Sequence, residues 1–230
     1  MSATPDTIIY LVDDAVSIRR GLSRLLAARG YHVRAFEAPE AFLDDLPEEP
    51  VGCVLLDLDM PTMSGIEVQR RLADVAARLP IVFVSGRGSV ATCAEALKAG
   101  AVDFLEKPVD EERLCQAIEQ ALAQNAAARR SHAAREAARA LIDRLTARER
   151  DVMRLVVRGF TSPEIGELLG IAPGTVKIHR KHLVAKLEAD SLPDLLMLYQ
   201  QAGIGVAVVD GPDCRQAQPI ISGHSAPNAA

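Results

Sequence analysis

Short apolar runs separated by polar stretches recur through the first half of the chain. The runs cover residues 8–12, 33–36, 51–56, 81–84 and 102–105. They are rich in the aliphatic and β-branched residues that are typical of buried strands. Between the runs, apolar residues recur at three- and four-residue spacing, as in Ile18, Leu22 and Leu25, which indicates amphipathic helices. Five strands alternating with five helices predict an α/β fold with a doubly wound, five-stranded parallel sheet.

The second half of the chain differs in composition and in its pattern of apolar residues. Residues 124–140 are rich in Ala and Arg, with no large apolar residue, Gly or Pro, so we expect a solvated helix with little to bury. Residues 143–202 carry helical patterns interrupted at glycines, which predicts a small all-α domain. We therefore predict four segments: an α/β domain at 1–124, a helical linker at 125–142, a helical domain at 143–202 and a disordered tail at 203–230.

Charge separates the two halves more clearly than the net charge of −5 suggests. Residues 1–125 hold 12 Lys/Arg and 20 Asp/Glu, and residues 126–230 hold 14 and 11, so the halves carry −8 and +3. A basic second half favours polyanion binding there. The four cysteines have no metal-ligand spacing, and no apolar stretch matches a signal peptide or a membrane span, so we expect a cytoplasmic protein with reduced thiols.

Polar residues follow most of the predicted strands at their carboxyl ends. Asp13 and Asp14 follow the first strand, Asp57 the third, Ser85 the fourth, and the fifth runs into Lys107. Because functional groups gather at this edge of a parallel sheet, we expect these side chains to converge. Crowded carboxylates need a cation, and Mg²⁺ prefers oxygen ligands. Asp57 then becomes a nucleophile toward phosphorus, with Ser85 and Lys107 binding the remaining phosphoryl oxygens.

The helical second half contains a predicted helix-turn-helix. Thr146 and Glu149 form a capping box for one helix, a short helix ends at Gly170, and residues 175–188 form a basic third helix. Such a helix suits the DNA major groove. We expect Lys177, Ile178 and Lys181 to read base edges. Phosphate contacts are expected from Thr175, Arg180 and Lys186.

Residues 6–124 resemble the receiver domain family. The resemblance rests on Leu11-Val12-Asp13-Asp14, Asp57-Leu58-Asp59-Met60-Pro61 with Gly65, Ser85-Gly86 and Phe104-Leu105-Glu106-Lys107-Pro108. It implies that Asp14 and Asp57 ligate Mg²⁺ directly, that Asp13 assists through water, and that the Asp59 backbone carbonyl completes the set. It further implies that Phe104 is an aromatic switch that follows Ser85. The resemblance also implies a cis Lys107–Pro108 bond and a sensor histidine kinase as phosphoryl donor.

Residues 143–200 resemble the LuxR-type DNA-binding domain. The matching positions are Leu145-Thr146, Arg148-Glu149, Glu164-Ile165-Gly166, Leu168, Thr175-Val176-Lys177, His179-Arg180 and Lys186-Leu187. The resemblance implies a fourth helix near 192–200 that dimerises on DNA. Two positions depart from the family pattern. Gly166 replaces the usual Ala, which costs about 1 kcal/mol of helix propensity unless close packing requires a glycine there. Ala172 replaces a capping Ser, at about 1 kcal/mol.

Together the two resemblances indicate a two-component response regulator of the FixJ/NarL type, which is not an enzyme. Its implied partners are the kinase, double-stranded DNA and a second copy of the chain on activation, with RNA polymerase as a further candidate. Two alternatives are weaker. A haloacid-dehalogenase-like phosphatase shares Asp57-Leu58-Asp59, but its nucleophile follows the first strand. A quorum-sensing LuxR-type regulator shares the second half, but it needs an apolar ligand pocket in place of the acidic edge.

Overall fold

The computed structural model describes residues 7–72, 79–86, 90–189 and 191–204. The chain divides into two compact units on either side of the Ala133–Ala134 bond, and each unit has its own core. Apart from Gly203 and Ile204, the predicted tail lies outside the described residues. Of the helices that the structure describes, none combines the length and the apolar character that a bilayer span requires.

The first unit contains the predicted five-stranded parallel sheet. Its strands are β1 (Ile8–Val12), β2 (His32–Phe36), β3 (Gly52–Asp57), β4 (Ile81–Ser85) and β5 (Asp103–Glu106). They lie in the order β2-β1-β3-β4-β5, and every neighbouring pair is parallel. The fold class predicted from the apolar runs is confirmed, and the predicted strand ends differ from the observed ones by at most one residue.

Helices cover both faces of this sheet. They are α1 (Val16–Ala28), α2 (Pro39–Asp45), α3 (Gly65–Arg71), α4 (Val90–Lys98) and the start of α5 (Glu111–Asp143). One core joins α2, α3 and α4 to alternate strand residues such as Tyr10 and Leu56, and the other joins α1 and α5 to the intervening residues such as Leu11 and Leu55. Since side chains alternate across a strand, the central strands β1, β3 and β4, which are buried on both faces, are apolar almost throughout, whereas the edge strands β2 and β5 contain charged residues such as Arg34 and Asp103.

β1 and β3 are neighbours in the sheet, and the strand order reverses between them: β2 lies on one side of β1, whereas β3, β4 and β5 follow on the other side. Val12 pairs with Leu56, so Asp13, just after β1, and Asp57, the last residue of β3, lie side by side. In open parallel sheets this reversal opens a crevice at the carboxyl ends of the strands, where ligands bind. The topology therefore places the acidic residues at the edge where the sequence predicted them.

The second unit is a bundle of short helices around a separate core. Its helices are α6 (Ala147–Val156), α7 (Ser162–Leu169), α8 (Pro173–Leu187) and α9 (Leu192–Gln201). Val152, Ile165, Val176 and Leu183 are fully buried between them. The capping box of Thr146 and Glu149 at the start of α6 is confirmed.

The helix-turn-helix consists of α7, a turn at Gly170 and α8. Gly170 has φ 65° in the left-handed region, which favours glycine. Close packing explains Gly166, because a Cβ there would lie 2.7 Å from the Ile171 carbonyl oxygen. At Ala172 no side chain caps α8, as expected, and Pro173 occupies the first turn instead.

The predicted linker is one continuous helix with the preceding segment, α5, and it is not solvated along its whole length. Asn125 is buried and its Oδ1 accepts a hydrogen bond from Gly52 N at 3.1 Å. Ala138 and Ile142 belong to the core of the second unit. Small alanine side chains allow parts of α5 to pack closely against their neighbours. The sequence did not predict this burial because the segment has no large apolar residues. The domain bounds at 124, 142 and 202 remain predictions.

Gly65, at the start of α3, is closely packed against the backbone of Asp57. A Cβ on Gly65 would lie 2.5 Å from the Asp57 carbonyl oxygen and 2.9 Å from Phe83 Cε1. We expect Gly65→Ala to lower the free energy of unfolding by about 1–3 kcal/mol, because the backbone beside Asp57 must shift. Urea unfolding of the full chain measures this.

Gly21 provides the matched control, because it lies inside α1 and a Cβ there meets no atom within 4 Å. Gly21→Ala should instead stabilise the protein by up to about 1 kcal/mol through helix propensity. Equal effects of the two substitutions would show that the packing beside Asp57 is loose.

Candidate functional site

Three carboxylates meet at the carboxyl edge of the sheet. Asp13 and Asp14 follow β1, and Asp57 ends β3. One carboxylate oxygen from each of the three lies within 4.8 Å of the other two. Asp13 is 1% exposed and Asp57 7%. The structure thus brings together the acidic residues that the sequence singled out, and it removes two of them almost completely from water.

Lys107, just after β5, supplies the counter-charge. Its Nζ lies 2.6 Å from Asp13 Oδ2 and 3.2 Å from Asp57 Oδ2. Its backbone N–H donates to the Ser85 carbonyl at 2.9 Å, which fixes the start of the loop beside β4. The Lys107–Pro108 bond is cis, as predicted. One ammonium therefore links two carboxylates that come from different strands.

The local electrostatics make Asp57 an unusual carboxyl group. Burial raises the pKa of Asp57, Lys107 opposes that rise, and Asp13 adds to it, with a raised pKa as the result. Burial lowers the pKa of Lys107, but its contacts with Asp13 and Asp57 outweigh burial and raise it. Lys107 is consequently charged at neutral pH, while ionised Asp57 is held in a site that disfavours its charge.

The oxygen donors fit a hard divalent cation. Three clustered carboxylates offer the ligands that Mg²⁺ prefers, and one ammonium leaves an excess of negative charge when all three are ionised. A bound cation would offset the cost of ionising Asp57 in this site. The geometry of the three side chains therefore supports the predicted metal site.

Ser85 and Phe104, the other predicted site residues of the first unit, lie on β4 and β5. Ser85 is fully buried, and its Oγ lies 3.5 Å from Asp59 Oδ2. Phe104 is partly buried and stacks on Phe83, with ring centroids 6.2 Å apart and an interplanar angle of 29°. β4 and β5, which lie on the side of β3 opposite to β1, thus contribute a hydroxyl and an aromatic ring.

The second predicted site is the outer face of α8. Thr175, Lys177, Ile178 and Lys181 are exposed, with Ile178 at 56%. Arg180 is half-buried. Val176, Leu183 and Leu187 form the opposite, buried face of the same helix. The two lysines and the isoleucine therefore form one outward face, as the spacing predicted.

Lys186 differs from the other basic residues of α8. Its Nζ donates to Glu149 Oε2 at 2.7 Å, and the Glu149 side chain is only 4% exposed. Burial raises the pKa of Glu149, but the hydrogen bonds from Lys186 and Thr146 outweigh it and lower the pKa to about 2. This ion pair joins the end of α8 to the start of α6. A phosphate contact by Lys186 would have to share its ammonium with Glu149.

Two arginines beside these sites make backbone contacts that the sequence did not predict. Arg19 donates to the backbone carbonyls of Asp13 and Asp14, each at 2.7 Å. Arg148 donates to the Leu169 carbonyl at 2.7 Å, at the end of α7. Helical side chains lean toward the helix N-terminus, so an arginine early in α1 reaches back over the preceding loop. That lean is the one sequence signal that could have identified Arg19.

Comparison with known proteins covers both units. Residues 9–119 match the response regulator receiver domain family, and residues 143–199 match the LuxR family of bacterial regulatory proteins. The transcriptional regulatory protein FixJ of Bradyrhizobium diazoefficiens is 38% identical over 85% of this chain and 96% of its own length. The response regulator protein TmoT of Ectopseudomonas mendocina is 36% identical over 85% of this chain and 89% of its own length.

Solved structures give the same result. The response regulator StyR is 39% identical, with a TM-score of 0.74, and the match covers 85% of this chain and 99% of StyR. Full-length FixJ from B. japonicum is 37% identical, with a TM-score of 0.53, over 88% of this chain and all of FixJ. The receiver match to the first unit leaves no basis for the phosphatase or the quorum-sensing alternative.

The raised pKa of Asp57 predicts that its charge destabilises the metal-free fold. A carboxyl group with a raised folded-state pKa contributes stability below its unfolded-state pKa, and that stability is lost as the pH rises through the folded-state value. We therefore expect Asp57→Asn to raise the free energy of unfolding at pH 7 in EDTA. The gain should shrink toward pH 4. Urea unfolding of the full chain across this pH range measures it.

Asp44 is the matched control, since it is exposed on α2. Asp44→Asn should change the stability by no more than about 0.5 kcal/mol at either pH. A metal-free Asp57→Asn protein that is less stable than wild type at pH 7 would contradict the electrostatic account of the site.

Proposed function

This chain belongs to the response regulators that join a receiver domain to a LuxR-type DNA-binding domain, and we propose that phosphorylation of Asp57 switches its DNA binding. The observation that supports this most strongly is the arrangement of Asp13, Asp57 and Lys107, in which one ammonium links two buried carboxylates. Such a site presents an oxygen nucleophile beside a cation. The proposed donor is a phosphohistidine on a sensor histidine kinase, and the proposed place of action is the cytoplasm.

In the proposed reaction a carboxylate oxygen of Asp57 attacks the phosphorus of the donor. The P–N bond breaks, its electron pair stays on the imidazole, and an acyl phosphate forms on Asp57. Lys107 Nζ, 3.2 Å from Asp57 Oδ2, stabilises the phosphoryl oxygens by charge, and the Ser85 hydroxyl donates to another of them. Bound Mg²⁺ supplies further positive charge against the phosphoryl oxygens.

The residues proposed to hold Mg²⁺ are those at the meeting of β1 and β3. Asp14 and Asp57 would be the direct ligands, Asp13 would assist through water, and the Asp59 backbone carbonyl would complete the set. Support comes from the clustering of the three carboxylates. Asp13 already accepts from Lys107 and from the Ala15 N–H, which suits a role outside the inner ligands.

We propose that the signal leaves the site through Ser85 and Phe104. Phosphorylation draws the Ser85 hydroxyl toward Asp57 and away from Asp59, and the partly buried Phe104 ring moves with it. The surface formed by α4 and β5 is reshaped and pairs with a second copy of the chain. The paired DNA-binding domains then bind their operator and act on transcription through RNA polymerase.

For DNA recognition we propose Lys177, Ile178 and Lys181 as base readers, because they form the outward face of α8. Thr175 and Arg180 flank that face and are proposed to contact phosphates. Lys186 is a proposed phosphate contact as well, although its ion pair with Glu149 makes it the weakest of the set.

Phosphorylation is tested by incubating the protein with Mg²⁺ and acetyl phosphate, followed by mass spectrometry of the intact chain. We expect wild type to gain the mass of one phosphoryl group, which hydroxylamine removes because it cleaves acyl phosphates. Asp57→Asn should gain nothing, and the exposed-site control Asp44→Asn should behave as wild type. A phosphoryl group that persists on Asp57→Asn would exclude Asp57 as the acceptor.

DNA recognition is tested with an operator selected from random sequence by the phosphorylated protein. We expect Lys181→Ala to cost about 1–3 kcal/mol on that operator and to relax the preference at one base position. Arg180→Ala should weaken binding to all sequences and reduce the slope of log K against log salt by about 1. Fluorescence anisotropy titrations across salt concentrations measure both effects.

The exposed Arg113 on α5 provides a control that removes the same charge from the first unit. Arg113→Ala should leave affinity, base preference and salt slope as in wild type. The assignment of α8 as the reading helix would be wrong if Lys181→Ala weakened all sequences equally.

A further inference from the structure

The backbone of the loop between β1 and α1, which carries Asp13 and Asp14, is contacted by the Arg19 side chain. Arg19 Nη1 donates to the backbone carbonyls of both residues at 2.7 Å. Its Nη2 donates to Glu37 Oε2 at 2.8 Å. The Arg19 side chain is 13% exposed, whereas the Glu37 side chain is 75% exposed. The guanidinium is thus largely buried over the loop, and its outer end is anchored by an acid at the surface.

The two acidic side chains of this loop are held in different ways. The Asp13 carboxylate accepts from the Ala15 N–H at 2.8 Å and from Lys107 Nζ at 2.6 Å. In the part of the chain that the structure describes, Asp14 takes part in a hydrogen bond only through its backbone carbonyl, which Arg19 contacts. The direction of the Asp14 carboxylate therefore depends on the backbone that Arg19 holds.

A lysine could not replace this arrangement. The planar guanidinium donates several hydrogen bonds in fixed directions, and here one terminal nitrogen serves two carbonyls while the other serves a carboxylate. Because both carbonyls are fixed, the peptide planes on either side of Asp14 are fixed as well. Metal ligands that are oriented by such outer partners bind more tightly than ligands that must be ordered on binding.

We propose that Arg19 is a positioning residue for the divalent-cation site, and that it aligns the Asp14 carboxylate with Asp57 before the metal binds. The proposal rests on the metal site of the proposed function. The proposal predicts that loss of Arg19 changes the Mg²⁺ affinity in the direction opposite to the one that charge alone would produce. A cation near the site repels Mg²⁺, so loss of Arg19 through Coulomb interactions alone would tighten Mg²⁺ binding. Loss of its positioning role weakens binding instead.

The test is the Mg²⁺ affinity of the unphosphorylated full chain, measured by isothermal titration calorimetry. We expect Arg19→Met to raise the Mg²⁺ Kd by about 10-fold or more, as loss of an outer partner does at other metal sites. Arg20→Met is the matched control, because Arg20 is exposed on the same helix and its removal changes the charge equally. Its Kd should stay within about two-fold of wild type, as for other exposed charges.

Hydrogen exchange in metal-free protein gives a second readout. The Ala15 amide, which donates to Asp13 Oδ1, should exchange faster in Arg19→Met than in wild type, while the amides of β3 keep their rates. Equal acceleration at β3 would mean a general loss of stability and would overturn the proposal. If Arg19→Met does not fold, Arg19→Lys is measured instead, with the same sign and a smaller factor.

An unchanged or lower Kd in Arg19→Met, with wild type binding Mg²⁺ normally, overturns the role of Arg19 and leaves the proposed function intact. Failure of wild type itself to bind Mg²⁺ would remove the metal site, and the proposal with it. The two failures are distinguished by the wild-type titration alone.

Discussion

Two carboxylates that have almost no contact with water share one ammonium at the edge of a parallel sheet. Asp13 and Asp57 both have a carboxylate oxygen within 3.2 Å of Lys107 Nζ; Asp13 follows β1, Asp57 ends β3 and Lys107 follows β5. Buried charges are costly unless they are paired. The sheet must therefore hold three segments of chain in fixed register, and the tight packing of Gly65 against the Asp57 carbonyl shows how little freedom is left. The excess of carboxylates favours a cation in this site, and the Lys107 ammonium is the positive charge that the proposed phosphoryl group would need.

Much of this arrangement could be predicted from the sequence, because strands buried on both faces leave a clear pattern. The apolar runs fixed the five strands to within one residue, and the rule that function gathers at the carboxyl ends of strands identified Asp13, Asp14, Asp57, Ser85 and Lys107. These predictions depend on chain order and periodicity alone. The positions of Asp13 and Asp57 relative to each other required only that β1 and β3 be neighbours.

Other features depend on contacts that leave no periodic signal. In the sequence, Arg19 cannot be distinguished from the other charged residues of an amphipathic helix, nor Lys186 from the other basic residues of α8. Their roles follow only from their partners in the structure. The burial of Ala138 and Asn125 in α5 was hidden because small and polar residues carry no apolar pattern. Gly166 looked like a defect of α7, yet the Ile171 carbonyl leaves no room for a Cβ. In each case the deciding neighbour lies several residues or a whole element away in sequence.

We propose that phosphorylation of Asp57 changes DNA binding by α8. The most direct measurement is the affinity of the full chain for its selected operator with and without Mg²⁺ and beryllofluoride, a phosphoryl mimic, in wild type and in Asp57→Asn. We expect beryllofluoride to change the wild-type affinity by about 5- to 150-fold, the usual range of coupling between two sites, and to leave the affinity of Asp57→Asn unchanged. Equal wild-type affinities in both states, or an equal response of Asp57→Asn, would contradict it.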